Sequence, residues 1–369
     1  MAPDVAALSD GGFIVVYRDG RASDGTIGSP IQRAAVVGQR YDAHGAKIGS
    51  DDTLVPGIAY DGQSLFPTDP EVVPAGAGFT IVYDSARFID GRVFGQDYDY
   101  GVYASGYSLG GAVNSMGGDR FGIKTINSAI AGKQDGSKVE ALLDDYGYAN
   151  GNSVVVWFTN AIAGTPPDGI MQPDQLKAQI LGAGGTLIGS EIAIPRAAKL
   201  DGFRGDIKYD VAGLPGGAFI VAWQSDNNIL FQVVNADGSM RGGIKEAHAP
   251  DGITQTAPAV SGRFDGSFLI TWTDNADMYG SGRVVGQLFN ADGSKNGDLL
   301  ALSNGASNNL PTASQIVTTS VGSYFVAWND AGPLGDGEGL TGIIIDPSAA
   351  GGGTVGCSHG GNSRVRSRL

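Results

Sequence analysis

The chain has 369 residues, of which 60 are glycine, 42% are hydrophobic and one, Cys357, is cysteine, and its formal net charge is −14. This balance excludes a disordered chain, an internal disulfide framework and a zinc site built from cysteines. It also argues against a nucleic acid or an anionic membrane surface as the partner, because both attract basic surfaces. The sequence contains no run of 18 apolar residues, so no membrane span is predicted.

Six predicted β-strands end on an aromatic residue, and they recur along almost the whole chain. The first reads Gly-Phe-Ile-Val-Val-Tyr and the fifth reads Ser-Phe-Leu-Ile-Thr-Trp. The six terminal aromatic residues, which we call the anchors, are Tyr17, Tyr83, Trp157, Trp223, Trp272 and Trp328. They are 66, 74, 66, 49 and 56 residues apart. A repeat of about 50 residues with short strands is typical of β-propellers.

Each copy of the repeat predicts four strands. In the first copy these are an inner strand at 3–8, the anchor strand at 12–17, a third strand at 36–41 and a weaker fourth strand at 42–49. Both faces of the anchor strands are apolar, as expected when a blade is packed between two neighbours. The sequence therefore predicts an all-β fold with almost no helix, a six-bladed β-propeller of four-stranded antiparallel blades.

The repeat also predicts the domain boundaries. We expect one propeller over residues 1–356, followed by a tail at 357–369 that is vector-derived or disordered, because its composition differs from everything before it. The blades are expected at residues 1–66, 67–136, 137–204, 205–254, 255–308 and 309–356.

The third strand and the turn after it carry a repeated motif, Gly-x-x-x-x-Gln-x-aromatic-x-x-x-Gly, seen most clearly at residues 282–293. This motif resembles the propeller-forming repeats of large secreted bacterial proteins that often also carry calcium-binding RTX nonapeptides. The resemblance spans about residues 3 to 350 and implies an extracellular bacterial protein, without implying a reaction. The nonapeptide itself is absent from the sequence, so its calcium chemistry does not carry over. More loosely, the chain is similar to six-bladed propeller hydrolases.

One position of the inner strands is expected to surround the mouth of the propeller channel. It is the residue before the first apolar position of each copy, namely Asp4, Glu71, Lys138, Asp206, Pro258 and Thr312. Carboxylates that converge from separate blades form an oxygen cage for a divalent cation. We therefore predict a metal site, with calcium as its ion, formed by Asp4, Glu71 and Asp206. The alternative is a water-filled channel with Lys138 as an internal counter-ion.

A second set of polar residues follows the anchors and is expected at the same rim. It comprises Arg18, Asp19, Asp84, Arg87, Asn160, Gln224, Asp226, Asp274, Asn275, Asn329 and Asp330. Arg18, Arg87, Asn160, Gln224, Asn275 and Asn329 are the candidate substrate-binding residues. His248, with Asp226 and Asp274, forms the candidate set for proton transfer. The alternatives are turn chemistry for the Asp and Asn residues and an ordinary surface role for His248.

Two functions fit these residues. The first is a hydrolase of esters, lactones or phosphotriesters in which a divalent cation polarises the reacting group, an activity implied by the looser resemblance. The second is a non-catalytic module that binds a glycan or a protein, for which the tyrosine-rich segment 97–103 would suit sugar stacking. In both cases we expect a monomeric, secreted protein with a small-molecule or glycan ligand.

Overall fold

The structure is a computed structural model. It describes residues 3–19, 35–55, 63–89, 100–109, 113–114, 123–128, 134–159, 162–163, 170–171, 175–195, 208–249, 252–275, 282–303, 312–330 and 339–347. Almost all regular structure in these segments is β-strand, and the only helical segment in them is a 3-10 turn at Pro215–Gly217. The prediction of an all-β chain is therefore confirmed.

Two compact units divide the chain, and the first comprises residues 1–226 and 230–245. It holds four of the six large sheets. The first sheet contains β1 (Asp4–Ala7), β2 (Phe13–Asp19), β3 (Ala35–Tyr41) and β4 (Lys47–Val55). The second contains β5 (Gln63–Ala75), β6 (Gly78–Ile89), β7 (Tyr100–Ser108), β8 (Val113–Asn114) and β9 (Ile123–Thr125).

The third and fourth sheets complete the first unit. The third contains β10 (Gln134–Leu143) and β11 (Ala149–Thr159), then β14 (Gln175–Leu181) and β15 (Leu187–Ala193), with β12 (Ile162–Ala163) and β13 (Ile170–Met171) forming a separate hairpin between them in sequence. The fourth contains β16 (Tyr209–Gly213), β17 (Phe219–Ser225), β18 (Asn228–Val234) and β19 (Met240–Glu246).

The second unit comprises residues 227–229 and 246–369. The fifth sheet contains β20 (Thr254–Gly262), β21 (Phe268–Asn275), β22 (Gly282–Phe289) and β23 (Lys295–Ala301). The sixth contains β24 (Thr312–Thr318), β25 (Tyr324–Asp330) and β26 (Gly339–Ile345), and it has three strands within the described residues. Each large sheet is an antiparallel meander in chain order, so the six sheets are the blades of a six-bladed β-propeller.

Each anchor lies in the second strand of its blade, but the expectation that it ends the strand was wrong, since every strand continues two to six residues beyond it. Tyr83, Trp157, Trp223, Trp272 and Trp328 are buried, and the strand residues that precede them are largely apolar on both faces. Tyr17 differs, since it is only half-buried and its hydroxyl donates to Asp51 Oδ2 at 2.9 Å. Large aromatic rings at the same place in each strand remove much apolar area from water, which is the main stabilising contribution to such a fold.

The glutamine of the repeated motif has a structural role. In β14 the buried Gln179 donates from Nε2 to the carbonyls of Ile180 and Ile188, at 3.1 and 2.9 Å, where the pairing of β14 with β15 shifts register. The equivalent glutamine side chains Gln39, Gln232 and Gln287 make the same pair of bonds in their own blades. The motif that carries the family resemblance thus fixes the bulge between the third and fourth strands.

Candidate functional site

The inner strands of the first unit carry a charged residue at one position of the sheet register. This position is paired with the residue immediately before the anchor. The pairs are Asp4 with Val16, Glu71 with Val82, Lys138 with Val156 and Asp210 with Ala222. Asp206, which the sequence analysis put in this layer, lies outside the described residues, and the register assigns the position in the fourth blade to Asp210.

Bulges in the inner strands explain why the sequence alignment is inexact. In β5 the register shifts between Thr68 and Glu71, and in β10 it shifts between Asp135 and Lys138. The second unit has matching shifts, which put Ala259 and Gln315 in this layer. The expectation of Pro258 and Thr312 there was therefore wrong, because an extra residue in a bulge moves every later side chain along the register.

Lys138 lies among the carboxylates of this layer. Its Nζ is 3.5 Å from Asp210 Oδ1 and 3.8 Å from Glu71 Oε1. Asp4 is held from β5, because its Oδ2 accepts the backbone N–H of Val72 at 2.7 Å. The side chains of Lys138, Glu71 and Asp210 are 30%, 28% and 22% exposed, so the cluster is recessed but reachable by solvent.

Glu140 lies two residues after Lys138 in β10 and interacts electrostatically with Asp210, Glu71 and Asp4. Burial raises the pKa of its carboxyl group to about 8, and the negative charges of Asp210, Glu71 and Asp4 add to the rise. Burial also raises the pKa of Glu71 to about 7, although Lys138 opposes the change. Burial alone would lower the pKa of Lys138, but Asp210 and Glu71 more than offset this, and the pKa is raised. Burial and the neighbouring negative charges therefore favour the protonated forms of Glu140 and Glu71.

We call Asp4, Glu71, Lys138, Glu140 and Asp210 the inner-strand cluster. The ammonium of Lys138 lies within 4 Å of Glu71 and Asp210, which is the contact that the counter-ion alternative expects. Among the described residues, no three His, Cys, Asp or Glu side chains are grouped so that they could hold a metal ion. Calcium bound by Asp4, Glu71 and Asp206 stays a prediction, and no step below depends on it.

Two buried side chains next to the cluster were not recognised as part of it. The single hydroxyl proton of Tyr209 has two carbonyl acceptors within reach, Val156 O at 2.9 Å and Gly136 O, and the contact with Gly136 ties β16 to the bulge of β10. The carboxyl group of Asp84 accepts the backbone N–H of Ser137 at 3.2 Å, and its complete burial raises its pKa to about 8. Asp84 thus supports the β10 bulge and is not part of an open rim.

Asp210 carried a sequence signal that the alignment missed. The spacing of 13 residues between Asp4 and the anchor Tyr17 recurs between Asp210 and Trp223. Asp84 was singled out as the residue after the anchor Tyr83, but for the rim and not for the β10 bulge, and for Tyr209 and Glu140 no comparable signal exists.

The rim candidates of the first unit are scattered. Arg18 is half-buried at the end of β2, and Gln224 is half-buried near the end of β17. Asp226 is exposed with a φ of 50°, a left-handed conformation that fits a turn residue in the β17–β18 connection. Arg87 lies in β6, but its side chain is outside the described residues, as is all of Asn160.

The second unit brings His248 and Asp274 to the same tryptophan. The ring of His248 is 6.4 Å from that of Trp272, whose Nε1 donates to Asp274 Oδ1 at 2.7 Å. Asp274 is buried and its other oxygen accepts Arg283 Nη2 at 3.2 Å. These bonds give Asp274 a structural contact with both Trp272 and Arg283, and its assignment to proton transfer with His248 and Asp226 stays a prediction.

The two remaining candidates lie near strand ends in the second unit. Asn275 is half-buried, with its backbone paired to Thr254 and Gly282, and Asn329 is exposed opposite Thr312. Neither is joined by a described contact to His248 or Asp274, so their assignment to substrate binding stays a prediction.

Comparisons with solved structures show which proteins have a similar fold. The NanB sialidase from Streptococcus pneumoniae, in complex with 2-[(3-chlorobenzyl)ammonio]ethanesulfonate, is 11% identical over 93% of this chain and 68% of its own, with a TM-score of 0.52. The fold is that of a β-propeller. The leech intramolecular trans-sialidase, complexed with 2,7-anhydro-Neu5Ac, is 10% identical over 94% and 68% of the two chains, with a TM-score of 0.53.

At this level of identity the similarity shows the fold alone. No protein-family model matches the chain, and the comparison with curated proteins finds no match. The resemblance to RTX-associated repeats stays a prediction. In the described residues, no helix combines the length and the apolar character needed to span a membrane.

Proposed function

We propose that this protein is a hydrolase of glycosidic bonds and that the inner-strand cluster is its catalytic site. The observation that carries the proposal is the grouping of Lys138 with Asp210 and Glu71, at 3.5 and 3.8 Å, on the strand that also holds Glu140. Glycoside hydrolysis uses two carboxyl groups of this kind, one that donates a proton and one that acts while ionised. The fold agrees with this proposal, because the sialidase and the trans-sialidase share it.

Glu140 is the proposed proton donor. Its pKa of about 8 keeps it protonated at neutral pH, and it can give that proton to the oxygen of the leaving group as the glycosidic bond breaks. Asp210 is the proposed ionised partner, because its carboxylate is paired with the Lys138 ammonium at 3.5 Å. From that position it can stabilise positive charge at the sugar carbon or activate a water molecule.

Lys138 is a positioning residue in this scheme. Its ammonium lies within 4 Å of both Asp210 and Glu71, so it offsets the repulsion between two carboxylates that would otherwise resist ionising together. Glu71, with a pKa of about 7, takes up or releases a proton in the range where the enzyme would work. The site can therefore keep one carboxylate ionised while Glu140 retains its proton.

The decisive experiment compares substrate classes on the purified full chain. Nitrophenyl glycosides, a nitrophenyl ester, a lactone and a phosphotriester are assayed with and without EDTA, since the sequence analysis also predicted metal-assisted cleavage of the last three. We expect turnover of a glycoside that EDTA does not change, and a fall of about 10²- to 10⁴-fold in Glu140→Gln. Activity should also decline above about pH 8, as Glu140 loses its proton.

The control variant is Asp274→Asn, which changes a carboxylate that the structure gives a structural role. It should lower stability more than it lowers the turnover of folded protein. EDTA-sensitive cleavage of an ester, lactone or phosphotriester would replace the proposal with the metal-assisted reaction. An absence of turnover in every class would contradict catalysis and favour the non-catalytic binding module.

A further inference from the structure

Two exposed tyrosines lie on the turn that joins β10 to β11. Tyr146 and Tyr148 are 79% and 73% exposed, among the highest values for large apolar side chains in the described residues. We call residues 144–148 the tyrosine turn. Aromatic rings left this open in water forgo the gain of burial, so a pair on one short turn is a candidate contact surface.

The backbone of the tyrosine turn is fixed by hydrogen bonds. Asp144 Oδ1 accepts the N–H groups of Tyr146 and Tyr148 at 2.8 and 3.0 Å, and the N–H of Asp144 donates to Tyr148 O at 2.7 Å. Gly147 adopts a φ of 84° and donates to Asp144 O at 3.1 Å. A ligand would therefore not have to order this backbone, and the cost of binding is lower for that reason.

Polar groups accompany the rings. Asp145 and Asn150 are both exposed close to the tyrosines in sequence, and the amide of Asn150 also donates to Leu143 O at 3.4 Å and accepts the N–H of Asn152 at 2.9 Å. A carboxylate accepts hydrogen bonds from hydroxyl groups, and an amide can both donate and accept them. Rings that stack on C–H faces, combined with such groups, match the surface of a sugar, which has apolar faces and a polar edge.

We propose that the tyrosine turn is a second binding site, for a chain of neutral sugar residues. The identification of the ligand as a glycan rests on the proposed function, whereas the presence of a contact site rests on the turn itself. The net charge of −14 disfavours an anionic polymer. Because β10 carries both Lys138 and Glu140 and leads into this turn, a polysaccharide held there is tethered to the hairpin that holds the proposed catalytic groups.

Affinity electrophoresis tests the site without requiring turnover. The full chain is run through gels containing soluble arabinan, xylan, galactomannan or dextran, with polygalacturonate as the anionic comparison. We expect retardation by at least one neutral polymer, weakened about tenfold in Tyr146→Ala/Tyr148→Ala, because this variant removes both stacking rings. Tyr146→Phe/Tyr148→Phe, which keeps the rings, should remain within about threefold of the unchanged protein.

Phe264→Ala is the matched control. Phe264 is 49% exposed on the corresponding β20–β21 turn, but the guanidinium of Arg263 lies 4.9 Å from its ring centroid and covers one face. Its removal should leave retardation unchanged. The proposal is overturned if no neutral polymer retards the protein, if only polygalacturonate does, or if the double alanine variant binds as before.

The nitrophenyl substrates of the previous section separate the two proposals. The double alanine variant should cleave a small glycoside as fast as the unchanged protein, because the tyrosine turn is outside the inner-strand cluster. A protein that binds polysaccharide through the tyrosines but cleaves nothing would contradict the catalytic proposal alone. A protein that cleaves a glycoside and binds polymer independently of the tyrosines would contradict this inference alone.

Discussion

The inner strands of the two units occupy the same place in the repeat but carry different chemistry there. In the first unit, the inner-strand residues paired with the residue before each anchor are Asp4, Glu71, Lys138 and Asp210. In the second unit it is Ala259 and Gln315. The anchors, the motif glutamine and the inner-strand bulge are common to both units, so the framework does not require charge at this position. Charge that the fold does not require is best explained by function.

The largest expected difference in the free energy of unfolding is between Lys138→Met in the first unit and Gln315→Met in the second. Removal of the ammonium leaves Glu71 and Asp210 without their counter-charge. We expect unfolding to become easier by about 2 kcal/mol, less than the 3–5 kcal/mol typical of a fully buried pair because the side chains are partly exposed. The loss should be greater at pH 8 than at pH 5, where the carboxyl groups can take up protons. Denaturant unfolding at both pH values measures it.

Gln315 is exposed and its replacement should change stability by less than about 0.5 kcal/mol. Equal effects of the two substitutions would remove the contrast between the units. They would mean that the charged layer is an ordinary solvated surface.

The second expected effect is a decrease in stability as the pH rises. The carboxyl pKa values of Glu71 and Glu140 are raised from 4.5 to about 7 and about 8, so the folded protein holds these protons more tightly than the unfolded chain does. Their contribution is fully present below about pH 4.5 and is lost as the pH rises through 7 and 8. Tm, measured by calorimetry from pH 5 to pH 8, should fall by about 2–4 °C for each kcal/mol lost.

Glu71→Gln/Glu140→Gln should flatten this dependence, leaving the part contributed by Asp84. A Tm that rises across the same range in the unchanged protein would show that the cluster is ionised throughout, and the role of Glu140 as proton donor would then fail.

The smallest expected effect on stability concerns the motif glutamine, which both units share. Gln179→Leu in the first unit and Gln287→Leu in the second each remove two hydrogen bonds to backbone carbonyls. Each should lower the free energy of unfolding by about 1–3 kcal/mol, because buried carbonyls lose their partners. Urea unfolding should give values for the two variants that agree within about 1 kcal/mol. A large difference would mean that the glutamine does not play the same part in both units.

The sequence by itself determined the architecture. Strand alternation, glycine-rich turns and the spacing of Tyr17, Tyr83 and the four tryptophans are local properties, and they predicted six antiparallel meanders with almost no helix. They also drew attention to Asp4, Glu71 and Lys138, which the structure places at one register position.

Only the tertiary structure decided which residues of the other inner strands lie at that register position. The bulges in β5, β10, β20 and β24 change the register by amounts that no local pattern reports, and for this reason Pro258 and Thr312 were misplaced. The pKa of Glu140 depends on burial and on charges from neighbouring blades, and the role of Asp274 depends on Trp272 and Arg283. Contacts between strands far apart in sequence set both, and a single sequence encodes them only through the packed fold.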